Sequence, residues 1–304
     1  MERNTGRQAT IIARELQFDV QQTMKKQRYW HNNDPVSTHF LNALQSAFPE
    51  SELFFIESAR DGVAAIGEEQ FNAEQLRNIK GFIKQEALHG KQHRAINDAL
   101  VANGYEKIAE FDARLAKARK LAREKYSILF RLGLTAAAEH FTATLSRYAL
   151  LKNNSLIEQS KEPFRQLLFY HAYEEIEHKA IVFDLYKTAG GGYLLRAFTH
   201  VLGMLDVLLS TRFKHKYLLK KDGLWNVRYR IKAFWFVWGL KGVAWGLLPD
   251  MLKYFIPGFH PWHTNELNEV AARYPGRVQA LNSGLSAEDQ PAPESPSAHV
   301  LATD

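Results

Sequence analysis

The sequence contains no cysteine, which excludes disulfides, thiolate metal ligands and cysteine nucleophiles. Nor does its start read as a secretory signal. The first 20 residues, MERNTGRQATIIARELQFDV, carry charges but no apolar core region, and Glu15 and Asp19 argue against an organelle-targeting leader despite three arginines. Reducing cytoplasm is the expected compartment. Long clean apolar runs are missing as well. The two most apolar stretches are interrupted, Tyr193–Thr211 by Arg196, His200 and Asp206, and Ile231–Ile256 by Lys232, Lys241 and Asp250. Neither therefore reads as the roughly 20 uncharged residues that a bilayer crossing needs. Helices that cover a core are the first expectation for them, and peripheral contact with a membrane surface is the second. A long basic block is absent too. The formal charge is +6, from 39 Lys and Arg against 33 Asp and Glu, and the densest stretches, KARKLAR (117–123) and RFKHKYLLKK (212–221), read as solvated faces. No nucleic-acid partner is expected.

Strand patterns are nearly absent, and helical periodicity dominates. Residues 1–34 read as an irregular lead-in anchored by Ile11, Ile12, Leu16 and Phe18. Asp34-Pro35 opens a helix in the expected way, and Phe40, Leu41, Leu44, Ala47 and Phe48 continue it at helical spacing until Pro49 interrupts. The spacing predicts further helices over about 72–102, over about 109–151, and from near Pro163 to the triple glycine at 190–192. The expected organisation is a lead-in (1–34), a four-helix bundle (35–190), an apolar and aromatic helical extension (191–264) and a mostly disordered tail (265–304). The tail assignment rests on its Ser, Pro, Ala and acidic composition.

Chemistry concentrates in two Glu-x-x-His pairs, Glu86–His89 and Glu175–His178. Each follows another glutamate at a similar interval, with Glu52 34 residues before Glu86 and Glu139 36 residues before Glu175. A four-helix bundle that projects these side chains inward makes a site for two metal ions. At about 100° per residue, Glu86, His89 and His93 fall within about 60° on one helix face, and His171, Glu175 and His178 cluster equally well. Apolar neighbours surround both pairs, and Glu139 stands in the small-residue run TAAAEHFTATL, where a buried charge needs a partner. The first glutamate has three candidates, Glu50, Glu52 and Glu57. Glu52, followed by Leu53-Phe54-Phe55-Ile56, is favoured. Glu174 and Glu177 lie off the ligand stripe and are expected to face solvent or a neighbouring helix. His171 has Phe82 at the equivalent position of the other half, so one metal gains an extra imidazole. His93 is expected to line the cavity or support a ligand. Carboxylates and imidazoles without thiolates suit iron or manganese better than structural zinc.

Over residues 35–190 the ligand pattern resembles the ferritin-like diiron-carboxylate proteins. With His171 in His-x-x-x-Glu-x-x-His it is similar to the diiron arylamine N-oxygenases. The whole chain looks closer to a bacterial family catalogued as predicted metal-dependent hydrolases, through RYWHNNDPVSTHFLNALQSAFPESELFFIESAR (28–60), FIKQEALHGKQH (82–93), AAAEHF (136–141), HAYEEIEHKAIVFDLY (171–186) and IPGFHPW (256–262). That family's usual Gly-Glu stands here as Ser51-Glu52, which supports Glu52. The resemblance implies an all-α, ferritin-like four-helix bundle with additional apolar C-terminal helices. It implies a metal set of Glu52, Glu86, His89, Glu139, His171, Glu175 and His178 around two iron ions, with manganese or zinc as substitutes. The expected activity is a diiron oxygenase or oxidase using O2 on a small or lipophilic organic substrate. Electrons would come from a ferredoxin or reductase, because no flavin or nicotinamide fingerprint is present. The alternatives are a binuclear metal-dependent hydrolase and a non-catalytic iron-binding protein. An oligomer is compatible with each.

Overall fold

A computed structural model describes residues 11–283. They are helical throughout, with no strand among the described residues beyond a single bridge between His31 and Ser160. The lead-in runs along the bundle and contains a short helix, α1 (Val20–Lys26), capped by the Asp19 carboxylate. Ile11 and Leu16 are buried, but Ile12 is 58 % exposed and anchors nothing. Residues 1–10 of the expected lead-in lie outside the described residues.

Asp34 caps α2 (Pro35–Gln45) by accepting from the Val36 and Ser37 amides. The interruption at Pro49 falls slightly earlier than expected. Ser46 and Ala47 end α2, and Pro49 sits in the first turn of α3 (Phe48–Ile66), where its missing N–H costs nothing. A capping box between Asn72 and Gln75 starts α4 (Ala73–Ala102). The long helix expected over 109–151 is two helices, α5 (Lys107–Lys125) and α6 (Ile128–Arg147), because Ser127 caps a new start by accepting from the Phe130 amide. A wide helical turn at Tyr148–Lys152 and the single turn α7 (Ser155–Glu158) lead to α8 (Phe164–His178). The break at Lys179-Ala180 separates α8 from α9 (Ile181–Thr188).

The bundle core forms where α3 packs on α4 and α6, and α8 packs on α6 and α4. Two buried apolar clusters fill it. Trp30, Phe164, Tyr170 and Leu100 belong to one, and Phe55, Phe82, Leu132 and Tyr186 to the other. The Trp30 and Phe164 rings stack at 4.0 Å, which seats the lead-in on α8.

After Gly192 the chain forms α10 (Tyr193–Lys221), α11 (Val227–Trp238) and α12 (Val243–Lys253). α10 covers α2 and α6. Gly133 makes its close approach to α6 feasible, since a Cβ there would stand 3.0 Å from the Thr199 hydroxyl. At its far end, the Asp222 carboxylate gathers Arg28, Tyr29, His39 and Tyr105. By length and composition alone, Tyr193–Lys221 and Val227–Lys253 are long and apolar enough to cross a membrane, although a turn at Gly239–Gly242 breaks the second.

The tail departs from expectation over its first part. Residues 266–282 form α13 (Glu266–Arg273) and α14 (Pro275–Asn282), whose Leu267, Val270, Val278 and Leu281 are buried in the core. Their apolar residues are few and mixed with polar ones, which hid them from composition. Residues 284–304, the rest of the expected disordered tail, lie outside the described residues.

Candidate metal centre

Four helices contribute. Glu52 comes from α3, Glu86, His89 and His93 from α4, Glu139 from α6, and His171, Glu175 and His178 from α8, and all eight are buried. Glu86, His89, Glu175 and His178 offer ligand atoms that all lie within 4.8 Å of one another, and so do Glu52, His93 and His171. Glu175 joins the two groups, with Oε1 3.6 Å from His89 Nδ1 and 3.1 Å from His171 Nε2. Glu139 enters through His178, whose Nδ1 lies 3.3 Å from Glu139 Oε2 and 3.0 Å from Glu86 Oε1.

The three candidates on the first helix separate by their partners. Glu50 is bound by Arg94 and Arg119, and Glu57 by Arg119 and Arg123. Glu52 alone faces inward, with Oε1 3.5 Å from His93 Nε2. Gly90 on α4 leaves it room, because a Cβ there would stand 3.2 Å from Glu52 Oε2.

Of the two expectations for Glu174 and Glu177, the neighbouring helix holds and solvent does not: Glu174 meets His89 and Glu177 meets Gln85, both on α4. Both are buried. Arg14 of the lead-in inserts between them, with Nη1 2.8 Å from Glu174 Oε1 and from Glu177 Oε2. Gln85 also donates to Glu177. Glu174 Oε2 in turn accepts from His89 Nε2 at 2.9 Å. That hydrogen bond fixes the proton on Nε2 and leaves the Nδ1 lone pair facing Glu86 and Glu175. Arg14 is the residue that sequence reasoning missed. Its signal was the pair of unexplained acids beside Glu175, which demanded a cation from elsewhere in the chain.

A second hydrogen-bond chain orients the other imidazoles. Gln45 Oε1 lies 3.2 Å from His93 Nδ1, and His93 Nε2 lies 3.2 Å from His171 Nδ1. With Gln45 accepting and His171 Nδ1 donating, a neutral His171 presents its Nε2 lone pair on the Glu175 side, the tautomer that a cation there would need; without a cation, a protonated Nε2 faces the carboxylate instead. Phe48 stacks on His171, Phe82 meets His178 edge-on and Tyr170 meets His89 edge-on. These rings wall the centre from water. His171, 8 % exposed, is the most open of the eight.

The donors fit cations on two grounds. Glu52 Oε2, both Glu86 oxygens, Glu139 Oε1, His89 Nδ1 and His178 Nε2 are buried without a hydrogen-bond partner, a condition costly for any polar atom. The charge balance agrees. Burial pushes Glu86 up to about 8, partly offset by His178, and pushes Glu139 up to about 7 against the same imidazole. Glu52 is raised by burial and by the Glu86 and Glu175 carboxylates. Burial would also raise Glu175, but His178 and His171 outweigh it and hold that carboxyl below its ordinary range. His178 is opposed by burial yet raised by Glu175, Glu139 and Glu86, whereas burial and His171 lower His89 and His93. Carboxylates crowded in this way retain protons or take cations.

A large cavity lies elsewhere. About 780 Å³ opens among α10, α11, α12 and α6, with Phe141 and Leu145 among its lining residues and none of the eight centre residues. On α6 those two residues stand roughly 200° and 240° around from Glu139. The helices after residue 193 thus wall a cavity that lies behind α6 rather than over the metal centre.

The sequence model of a family described as predicted metal-dependent hydrolase matches residues 12–265. No curated protein and no solved structure matches the chain.

Proposed function

The chain belongs to the family of predicted metal-dependent hydrolases, and from that premise we propose that it is a binuclear metal-dependent hydrolase. In this reading Glu52, Glu86, His89, Glu139, His171, Glu175 and His178 hold two divalent cations, and His93 supports His171. The observation that carries it is the position of Glu175 Oε1 between His89 Nδ1 and His171 Nε2, which joins two groups of ligand atoms through one carboxylate. Bound there, the cations would supply Lewis acidity that activates water near neutral pH.

The chain's own residues set the rest. Glu174 and Arg14 hold the His89 ring with its Nδ1 inward. Phe48, Phe82 and Tyr170 keep bulk water out. Glu139 Oε1 carries no hydrogen bond within the chain, which leaves it free to take a cation.

One observation favours a second reading, oxygen activation by a pair of irons. The donors are all carboxylate oxygens and imidazole nitrogens, a set that suits iron or manganese. Two Glu-x-x-His pairs on helices of one bundle also follow the di-iron plan. A small or lipophilic organic substrate and an electron donor such as a ferredoxin or reductase belong to that reading. The test loads the purified protein separately with Mn(II), Zn(II) and, without air, Fe(II). Hydrolysis of ester or phosphoester substrates by the manganese or zinc form, without O2 uptake by the iron form, supports the hydrolase. O2 uptake with transient visible absorption and no hydrolysis transfers the assignment to the second reading. Failure to retain any of the metals sinks both.

A further inference from the structure

We propose that the outer face of α10, α11 and α12 docks along the surface of a bilayer rich in anionic lipids. Of 22 large apolar side chains exposed among the described residues, 18 lie between Tyr193 and Ile256, although this stretch is about a fifth of the chain. They follow helical spacing on the outward side. Leu194, Phe198, Val201, Leu205 and Leu209 run along α10, and Val227, Ile231, Phe234 and Trp238 along α11. Beyond α11, Leu240 is 93 % exposed. An apolar face of this extent marks an interaction site.

Charge identifies the occupant. Residues 193–253 hold 11 Lys and Arg against 3 Asp, whereas the remaining chain holds 28 Lys and Arg against 30 Asp and Glu, so the whole basic excess lies here. Among the described residues, Arg212, Lys216, Lys220, Arg228, Arg230 and Lys241 are exposed and form no ion pair within the chain. The acids are fewer and mostly engaged. Asp222 and Asp250 are tied to the chain's own cations, and Asp206 alone of the three is exposed. Apolar and aromatic side chains interleaved with lysine and arginine are the composition of helices that lie in a lipid headgroup layer.

The inner side of α10 argues against crossing the bilayer. It buries Arg196, Thr199 and His200 against the bundle, with Arg196 donating to the Ile256 carbonyl and His200 to the Met251 carbonyl. Only one side of α10 is free for lipid. The cavity of about 780 Å³ opens on this face, lined by Trp225, Phe234 and Trp238, with Arg212, Lys216 and Arg230 among its cationic residues. It offers a lipid chain an apolar slot beside cations for its headgroup.

The test uses the full-length, metal-loaded protein in co-sedimentation with phosphatidylcholine vesicles and with vesicles containing phosphatidylglycerol. Binding to the anionic vesicles, at least about tenfold tighter than to neutral ones and reversed by salt, is expected. The triple variant Arg212→Gln, Arg228→Gln, Lys241→Gln should weaken that binding roughly a hundredfold. Trp235→Ser with Leu240→Ser should weaken it as well. All five positions are exposed, so circular dichroism and metal content should not change in either variant. No binding, equal binding to both vesicle types, or release only by detergent would overturn the proposal. So would a stable dimer that the Trp235→Ser, Leu240→Ser variant dissociates, since a second copy would then cover the face.

Discussion

Glu174 Oε2 accepts from His89 Nε2 at 2.9 Å, so a carboxylate beside one expected ligand on α8 sets the ring of another on α4. Arg14 anchors that carboxylate from the lead-in. Three segments far apart in sequence thereby fix one imidazole.

Loss of this support should weaken the centre without unfolding the protein. Glu174→Gln keeps the shape but removes the charge that His89 and Arg14 both use. Metal affinity, read by competition with a chelator, is expected to fall about 10- to 100-fold. Unchanged affinity would show that His89 needs no carboxylate behind it.

Glu50 and Glu52 separate cleanly by substitution. Glu52→Gln, Glu86→Ala and Glu175→Ala should each lower the metal bound per chain, measured by elemental analysis. Glu50→Gln should leave metal content intact and lower thermal stability modestly, because its partners are Arg94 and Arg119. Full metal content in both Glu86→Ala and Glu175→Ala would refute the ligand set.

Metal uptake should depend steeply on pH. Burial pushes Glu86 up to about 8 and Glu139 up to about 7, so both carboxyls hold protons below those values and cations must displace them. Affinity should rise as pH increases through 7 to 8, with protons released on loading. Calorimetry in buffers of different ionisation enthalpy counts those protons. An affinity flat across that interval would contradict the carboxylate assignment.

Acid should destabilise the fold through histidines outside the centre. Burial lowers His200 to about 4, with a hydrogen bond to the Met251 carbonyl opposing, and lowers His215 to about 4, with His39 adding to the effect. Both pKa values lie below the ordinary 6.5, so the unfolded chain binds protons first. Their stabilisation is present above about pH 6.5 and lost as pH falls toward 4. Melting temperature should drop across that window, and His215→Gln should flatten part of the drop. An equal drop in His215→Gln would remove His215 from the account.

Closer packing can be tested at Gly133. A Cβ there would meet Thr199 Oγ1 at 3.0 Å, so Gly133→Val should loosen α10 from α6 and cost about 1–3 kcal/mol in chemical denaturation. Gly133→Ala with Thr199→Ala, which removes the hydroxyl, should recover much of that loss. No effect of valine would show that the two helices have room to part.

The inward stripes were legible because helical period is local. Glu86, His89, Glu175 and His178 share faces whatever the rest of the chain does. The break at Ser127 was not legible, since the apolar pattern continues across it and a single hydroxyl cap decides the boundary. Helices α13 and α14 escaped for the opposite reason, their few apolar residues being diluted among polar ones.

Sequence alone determined the all-α class, the matched Glu-x-x-His helices and the exclusion of thiolate chemistry, because residue type and a period of 3.6 act over a few turns. Tertiary structure decided which glutamate of α3 turns inward, that Arg14 supports His89 through Glu174, and that Glu175 joins two groups of donors. It also decided that the apolar helices after Gly192 turn a stripe outward and wall a cavity behind α6. Those outcomes depend on which faces meet when helices far apart in sequence pack, and no local pattern encodes that pairing.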